Sequence, residues 1–476
     1  MATFLYRRRL IELGVLLLAL FVVGRLSIST GNVRVLIFAS LFIFTLAMVA
    51  VVRERIIIFL IIYLAFMGLI RRALIPIASW SSFDPLLILG PSITVILAIS
   101  LFWEMKNHNN LGEEKPDKLM VTLFIFGCVQ MFNPYSGSPI SGFVAAIYII
   151  VPWLWYFIAF YKIKQKDIVV VLNIVEVIGT IIALYGIYQT FFGILPFEQM
   201  WVDLTGYAAL YLAPETVRAI GTFPSAQEFV YFTMITFMIG FTKLVLNKNY
   251  LIHISVVLIT LLSIFFASSR TVIFFMALAL LMIVIISKKT LLRKIVTGLI
   301  SIMVLFSIWS FLPRLNPSWF GVAEPAVQHM IEGLIDPLSE EQTGLGHIER
   351  VAEGMKTVVI NPVGHGIASV TKAADKSGET DAMSTEMDLS NMIVALGIGG
   401  VIYILVVINT MYKLIKLISI QRKIEYIMIL GILVGGIGNW VNGGFYTTPI
   451  ITWLLVGWIH KQYSIYRGGN YAFSSH

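Results

Sequence analysis

The 476-residue chain has one cysteine, Cys128, set in an apolar run. It can form no intramolecular disulfide and no cysteine-based zinc site. Charge is equally scarce. Asp, Glu, Lys and Arg make up 13% of the residues, against about 25% in an ordinary soluble domain. A soluble protein of this size needs polar residues to cover its surface, and this chain cannot supply them unless lipid covers most of it. That excludes a soluble enzyme, a secreted domain, a coiled coil and a disordered scaffold. There is no Gly-x-x-x-x-Gly-Lys-Ser/Thr loop or other recognisable nucleotide-binding motif, and no His-x-x-x-His pair to begin a metal site.

What the chain has in quantity is apolar sequence, 58% of it, with 13% aromatic. A membrane-crossing helix needs about 20 mostly apolar residues, and about 14 segments approach that length. Their cores are 10–28, 33–52, 56–70, 84–104, 119–133, 141–161, 168–192, 225–245, 250–268, 271–287, 295–312, 390–410, 424–442 and 447–462. The first is not read as a cleaved signal, because Gly24-Arg25-Leu26 follows it instead of small residues. The net charge of +8 invites a nucleic-acid partner, but the distribution of the charges argues for topology instead. With the N-terminus inside and strict alternation, 23 of the 34 Lys and Arg residues fall on the inner side, as the positive-inside rule requires. Both termini are then cytoplasmic. The expected fold class is an all-α polytopic membrane protein in the plasma (inner) membrane. It comprises helices 1–11 over residues 1–312, an extracytoplasmic cap over 313–389 and helices 12–14 over 390–476.

The cap holds 12 of the 26 acidic residues and three of the seven histidines. Loops longer than about 15 residues are usually functional or disordered. This one carries a helical stripe, Ile348, Val351, Met355, Val358 and Val359, ending at the stop signal Asn361-Pro362-Val363-Gly364. A second long outer loop covers 193–224. The absence of matching halves argues against a transporter.

A few polar residues need explanation. Arg270, in Ser268-Ser269-Arg270, sits in the outer turn between two apolar segments. It either reaches to lipid headgroups or clamps a phosphate, for which a planar, permanently charged fork is suited. Arg218 stands before Gly221 and Pro224, which force a turn ahead of the next segment; it is either paired with Glu215 or a headgroup, or part of the same clamp. Glu176 falls near mid-helix and is either a paired structural carboxylate or a functional one. Glu386 and Asp388 lie two apart at the mouth of a segment. One could deprotonate a hydroxyl if burial and its neighbour raise its pKa, or both could simply suit a helix start. His347, which shares a turn with Glu349 and Arg350, and His365 are solvated loop residues or members of an outer site, and Glu228 is a further candidate.

The order Arg218-Ala-Ile-Gly-Thr-Phe, Ser268-Ser-Arg270, then a long outer loop with Arg350 and Asn361-Pro-Val-Gly-His-Gly366 resembles the O-antigen ligase/polymerase family of GT-C-like membrane glycosyltransferases. The similarity runs from about 170 to the end; the earlier part agrees in hydropathy alone. The resemblance implies glycan transfer from an undecaprenyl-diphosphate-linked donor to a sugar hydroxyl of a lipid-linked acceptor. It implies no cofactor, no metal, no nucleic acid and inversion at the anomeric carbon. It assigns Arg218, Arg270 and Arg350 to the diphosphate. Many members carry a histidine eleven residues ahead of a glycine that Gly397 matches, and Glu386 stands in its place. The base would then be Glu386 or Asp388. That departure favours a polymerase of surface-polysaccharide repeat units, with a chain-length regulator and a flippase as expected partners. A ligase moving finished glycan and a polysaccharide transporter are the alternatives.

Overall fold

The computed structural model describes residues 33–51, 55–81, 84–107, 114–136, 138–214, 216–246, 250–336, 344–371, 383, 385, 387–441 and 446–474. The described chain is almost wholly helical. Its helices are α1 (Val33–Val51), α2 (Ile56–Ala73), α3 (Ile75–Ala78), α4 (Leu86–Asn107), α5 (Lys118–Gln130), α6 (Pro139–Tyr148), α7 (Ile150–Lys162), α8 (Gln165–Phe192) and α9 (Pro196–Thr205). Then follow α10 (Ala226–Leu246), α11 (Tyr250–Phe266), α12 (Arg270–Ser287), α13 (Leu291–Phe311), α14 (Glu324–Ile335), α15 (Gly344–Ile360), α16 (Asp388–Leu396), α17 (Ile398–Gln421), α18 (Ile424–Gly435) and α19 (Thr447–Ser474). A two-stranded antiparallel ribbon, β1 (Tyr211–Ala213) and β2 (Thr216–Val217), interrupts them in the loop after α9.

Every expected apolar segment from 33 onward contains helix, although in 424–442 the helix stops at Gly435. Seven of the described helices are long and apolar enough to cross a membrane, or eight if α6 and α7, bent by 44° at their junction, form one span. The chain is therefore a multi-helix membrane protein. The expected segments that fall short do so for visible reasons. Segment 390–410 is broken at Gly397, whose φ of +56° ends α16. There Ile398 N–H donates to Pro362 O at 2.9 Å, so the segment 361–366 is inserted into the break. A side chain at Gly364 or Gly397 would strike the other's backbone. Segment 447–462 lies within α19, which is buried from Ile450 to Ile459 except for a little of Thr452. Protein, not lipid, surrounds it, so it tolerates His460, whose Nε2 and Nδ1 meet Thr410 Oγ1 at 2.9 Å and Tyr156 OH at 3.1 Å.

The main apolar core is centred on α19, α7, α10 and α18, with Trp153, Trp155, Trp440, Trp453 and Trp458 enclosed, and a smaller cluster of Ile75, Trp201, Val202, Leu210, Val217, Ile220 and Ala226 lies apart from it. By contrast α13 packs chiefly on α12, and Gly298 is its one buried residue. Its apolar surface is what a lipid-facing helix presents.

The expected cap helix exists as α15 and stops at Ile360, before Asn361-Pro362. Only part of the apolar stripe packs: Val351 and Val358 are half-buried, and Ile348, Met355 and Val359 are exposed. Between the two half-buried valines Gly354 is buried and lies against Thr385, Ser390 and Val394, which gives close approach to α16.

Candidate functional site

Three separate stretches meet at one end of the bundle. The first is the loop from α9 to α10. Gly206, in the left-handed region, ends α9, and the β1–β2 ribbon turns the chain back so that Arg218 N–H donates to Leu210 O at 2.9 Å. At Gly221 the backbone turns left-handed (φ +53°), which glycine adopts without strain. This turn is held from below by a buried polar network. Arg72, in the last turn of α2, donates to Gly221 O at 2.7 Å and Phe223 O at 2.5 Å. Its Nε stands 3.1 Å from Glu198 Oε1, and its guanidinium lies over Trp201, 5.3 Å from the ring centre. Gln189 accepts from Gly221 N–H at 2.7 Å and donates to Glu198 at 3.0 Å. Tyr185 OH donates to the other Glu198 oxygen at 2.8 Å.

The second stretch is the tight link between α11 and α12. Ser268 occupies the left-handed region (φ +56°), an uncommon conformation for a residue with a side chain. It lets α11 end and α12 begin within three residues, so Arg270 becomes the first residue of α12. The two stretches are tied together by Ala219 N–H, which donates to Phe266 O at 3.4 Å. The third stretch, the start of the cap, is tied to both. Thr216 Oγ1 donates to Val322 O at 2.9 Å, and Ser268 Oγ to Ala326 O at 3.4 Å. Trp309 Nε1 donates to Leu334 O at 2.9 Å, anchoring the far end of α14 to α13.

This framework brings Arg218, Arg270 and His329 together. Arg270 Nη2 lies 3.4 Å from His329 Nε2. A guanidinium is only a donor, so Nε2 is the acceptor and the imidazole proton is assigned to Nδ1. Arg218 is half-buried, and its Nε is enclosed without a hydrogen-bond partner among the described residues. Burial pulls its pKa down, Tyr207 opposes that in part, and the charge of Arg270 adds a downward pull smaller than that of Tyr207. Burial, then Arg270, then Arg218 push His329 below the ordinary imidazole range, with Glu332 opposing weakly. Arg270 acts on Arg218, and the charges of both help to hold His329 neutral, a field that an anion would relieve.

The chain matches none of the protein-family models, curated proteins and solved structures with which it was compared.

Among the candidates named from sequence, Arg218 and Arg270 are the two brought together. Arg350 stands exposed on α15, a helix that packs against α16. Asp388 begins α16 and is buried. Its Oδ2 accepts from Val441 N–H at 2.5 Å and from Tyr403 OH at 3.3 Å, while its own N–H donates to Gly438 O at 2.8 Å. Burial raises its pKa well above the usual carboxylate range, and the amides of Val441 and Trp440 and the Tyr403 hydroxyl oppose that only in part. Glu386 and the side chain of His347 lie outside the described residues, as does Glu215. His365 is half-buried between Gly364 and Gly366; its N–H donates to Val394 O at 2.9 Å and its ring lies 5.9 Å from that of Tyr135. Glu228, buried in the first turn of α10, accepts from Thr447 N–H at 3.3 Å. Glu176 is paired with Lys243 and with His253 Nδ1 at 3.2 Å, joining α8, α10 and α11.

His329 and the Arg72–Glu198–Gln189 network were not singled out in the sequence. His329 stood in a long loop with no ligand spacing. The one signal was the adjacency Arg71-Arg72 at the end of an apolar segment, where a buried counter-ion is required.

Proposed function

We propose that the chain is a polymerase of surface polysaccharide, and that Arg218 and Arg270 hold the diphosphate of an undecaprenyl-diphosphate-linked glycan. The reading is carried by one observation, the convergence of these two guanidinium groups beside a neutral His329 at the ends of membrane helices, under a cap. The expected topology puts that end outside the cell, where no nucleotide supplies energy and the donor must bring its own leaving group. In the reaction, the acceptor hydroxyl oxygen bonds to the anomeric carbon as the bond from that carbon to the phosphate oxygen breaks. The electron pair leaves with undecaprenyl diphosphate, whose growing charge the arginines offset. The hydroxyl proton goes to a carboxylate, Glu386 or Asp388. Asp388 is held by the Val441 amide and the Tyr403 hydroxyl, and burial raises its pKa. Arg350 on the cap is the third proposed diphosphate ligand. The membrane is the plasma membrane, with both termini cytoplasmic.

Purified protein given the lipid-diphosphate oligosaccharide should produce a ladder of lengths. A single product on a second lipid acceptor would make it a ligase. No transfer at all, with vectorial movement of the lipid-linked glycan instead, would make it a transporter.

A further inference from the structure

Helix α14 meets Arg270 at two positions one turn apart. At His329, Nε2 faces Nη2 of Arg270 at 3.4 Å. At Gly333, a Cβ would stand inside van der Waals contact of Cδ, Cζ and Nη1 of Arg270. The end of the Arg270 side chain therefore fills the space that a Cβ at Gly333 would take, with its tip at His329. Gly333 is in ordinary helical conformation and needs no freedom of φ. In mid-helix glycine is a poor choice against alanine, so its presence is explained by the arginine that covers it.

We propose that α14 is the seat of Arg270, with Gly333 making room for the guanidinium and His329 fixing its tip, so that both are positioning residues for the anion site shared with Arg218. The proposal deepens the diphosphate reading and rests on it. Both features come from the cap, an acceptor atom at His329 and open space at Gly333. The cap thereby sets the direction of a side chain that belongs to a membrane helix. Without the seat, Arg270 keeps its charge but regains the rotamer freedom of a long side chain, and it must lose that freedom again on binding.

The test uses the full-length protein in lipid nanodiscs, with inorganic pyrophosphate as the probe, calorimetric affinity as one readout and thermal unfolding as the other. Gly333→Ala obstructs only the end of a flexible side chain and improves the helix, so it is expected to unfold no earlier than the parent and to bind about tenfold more weakly, the weight of one charge-assisted hydrogen bond. His329→Phe, which keeps bulk without an acceptor, should lose about as much, and His329→Gln, which restores an acceptor at similar reach, should return affinity to within about threefold of the parent. Arg270→Ala is the reference and should bind no pyrophosphate. If Arg270→Ala loses binding while Gly333→Ala and His329→Phe bind like the parent, the seat is refuted and the diphosphate reading stands. If Arg270→Ala binds like the parent, the diphosphate reading falls and the seat with it. Should Gly333→Ala unfold early, the contrast between His329→Phe and His329→Gln decides, and equal affinities there refute the proposal.

Discussion

Substituting Glu198 by alanine would leave the Arg72 guanidinium enclosed at the end of α2 without its counter-charge. Both side chains are essentially inaccessible, at 1% and 0% exposure. Removing one member of such a pair costs about 3–5 kcal/mol, because the remaining charge is still desolvated. The change also strips partners from Tyr185 OH, Gln189 Nε2 and Leu195 N–H, which now reach Glu198 at 2.8, 3.0 and 3.2 Å. Offsetting terms are small. The C-terminal end of α2 favours a cation by about 0.3–1 kcal/mol, and the Trp201 face by about 0.5–2 kcal/mol. A net loss of about 3 kcal/mol, more than a hundredfold in the unfolding equilibrium, is expected. Arg72→Leu combined with Glu198→Leu removes both charges, and it should be less damaging than the sum of the two single changes by about 2 kcal/mol or more. Equilibrium unfolding in mixed micelles would measure all four proteins. A Glu198→Ala variant within about 1 kcal/mol of the parent, or additive single changes, would show that Arg72 is neutralised by something other than Glu198. The consequence for the site is separable. Since Arg72 and Gln189 hold Gly221, a folded Glu198→Ala protein should still bind pyrophosphate less well than the parent.

Arg218→Ala and Arg270→Ala should each abolish chain elongation while the protein still inserts in the membrane, and normal polymer length in both would reject the clamp. Asp388→Ala leaves two buried amides and a tyrosine hydroxyl without their acceptor, at about 1–3 kcal/mol each, so it should destabilise strongly; Asp388→Asn should keep most of the stability and, if Asp388 is the base, lose turnover. Full turnover in Asp388→Asn would leave the base role to Glu386. His329 Nε2 accepts from Arg270 only while its ring is neutral, and burial and the two arginines keep it neutral below the ordinary imidazole range. Affinity for a diphosphate diester, which does not itself titrate there, should then be level across that range; a rise as pH falls, absent in His329→Gln, would show that the ring takes up a proton on binding and is no acceptor.

Arg218 and Arg270 were legible in the sequence because arginine beside apolar segments is anomalous wherever it occurs. Their meeting was not legible. It depends on the Ala219–Phe266 hydrogen bond and on a left-handed Ser268, and a serine carries no sequence signal for that conformation. The Asn361–Gly366 motif was visible as a motif and Gly397 as a special glycine, yet their relation is a backbone clasp that neither segment announces. The break between α6 and α7 falls at Ile149, three residues before Pro152, and no apolar pattern marks it. Hydropathy located the helices well because burial in protein and exposure to lipid both select apolar residues. For the same reason it could not say which helices face lipid. Helix α13 and the first half of helix α19 are both rich in apolar residues; one is almost bare and the other is enclosed from Thr447 to His460.

The arginines of this chain divide by what faces them. Arg34 and Arg71 both pair with the buried Asp84, Arg71 at 3.0 Å, and they spend further donors on the carbonyls of Ser79 and Ser81. Arg72 has Glu198 and two carbonyls. These are cations whose surroundings are built to satisfy them, and each braces a turn. Arg218 is built the other way: the charge of Arg270 pulls on its pKa, and its buried Nε goes without an acceptor among the described residues. Asp84 serves two of those arginines and Glu198 the third, so the fold sets carboxylates beside buried arginines where it braces a turn. That Arg218 has a second cation and an imidazole for neighbours, at a meeting point of loop, membrane hairpin and cap, is the physical reason to test that point for a bound anion.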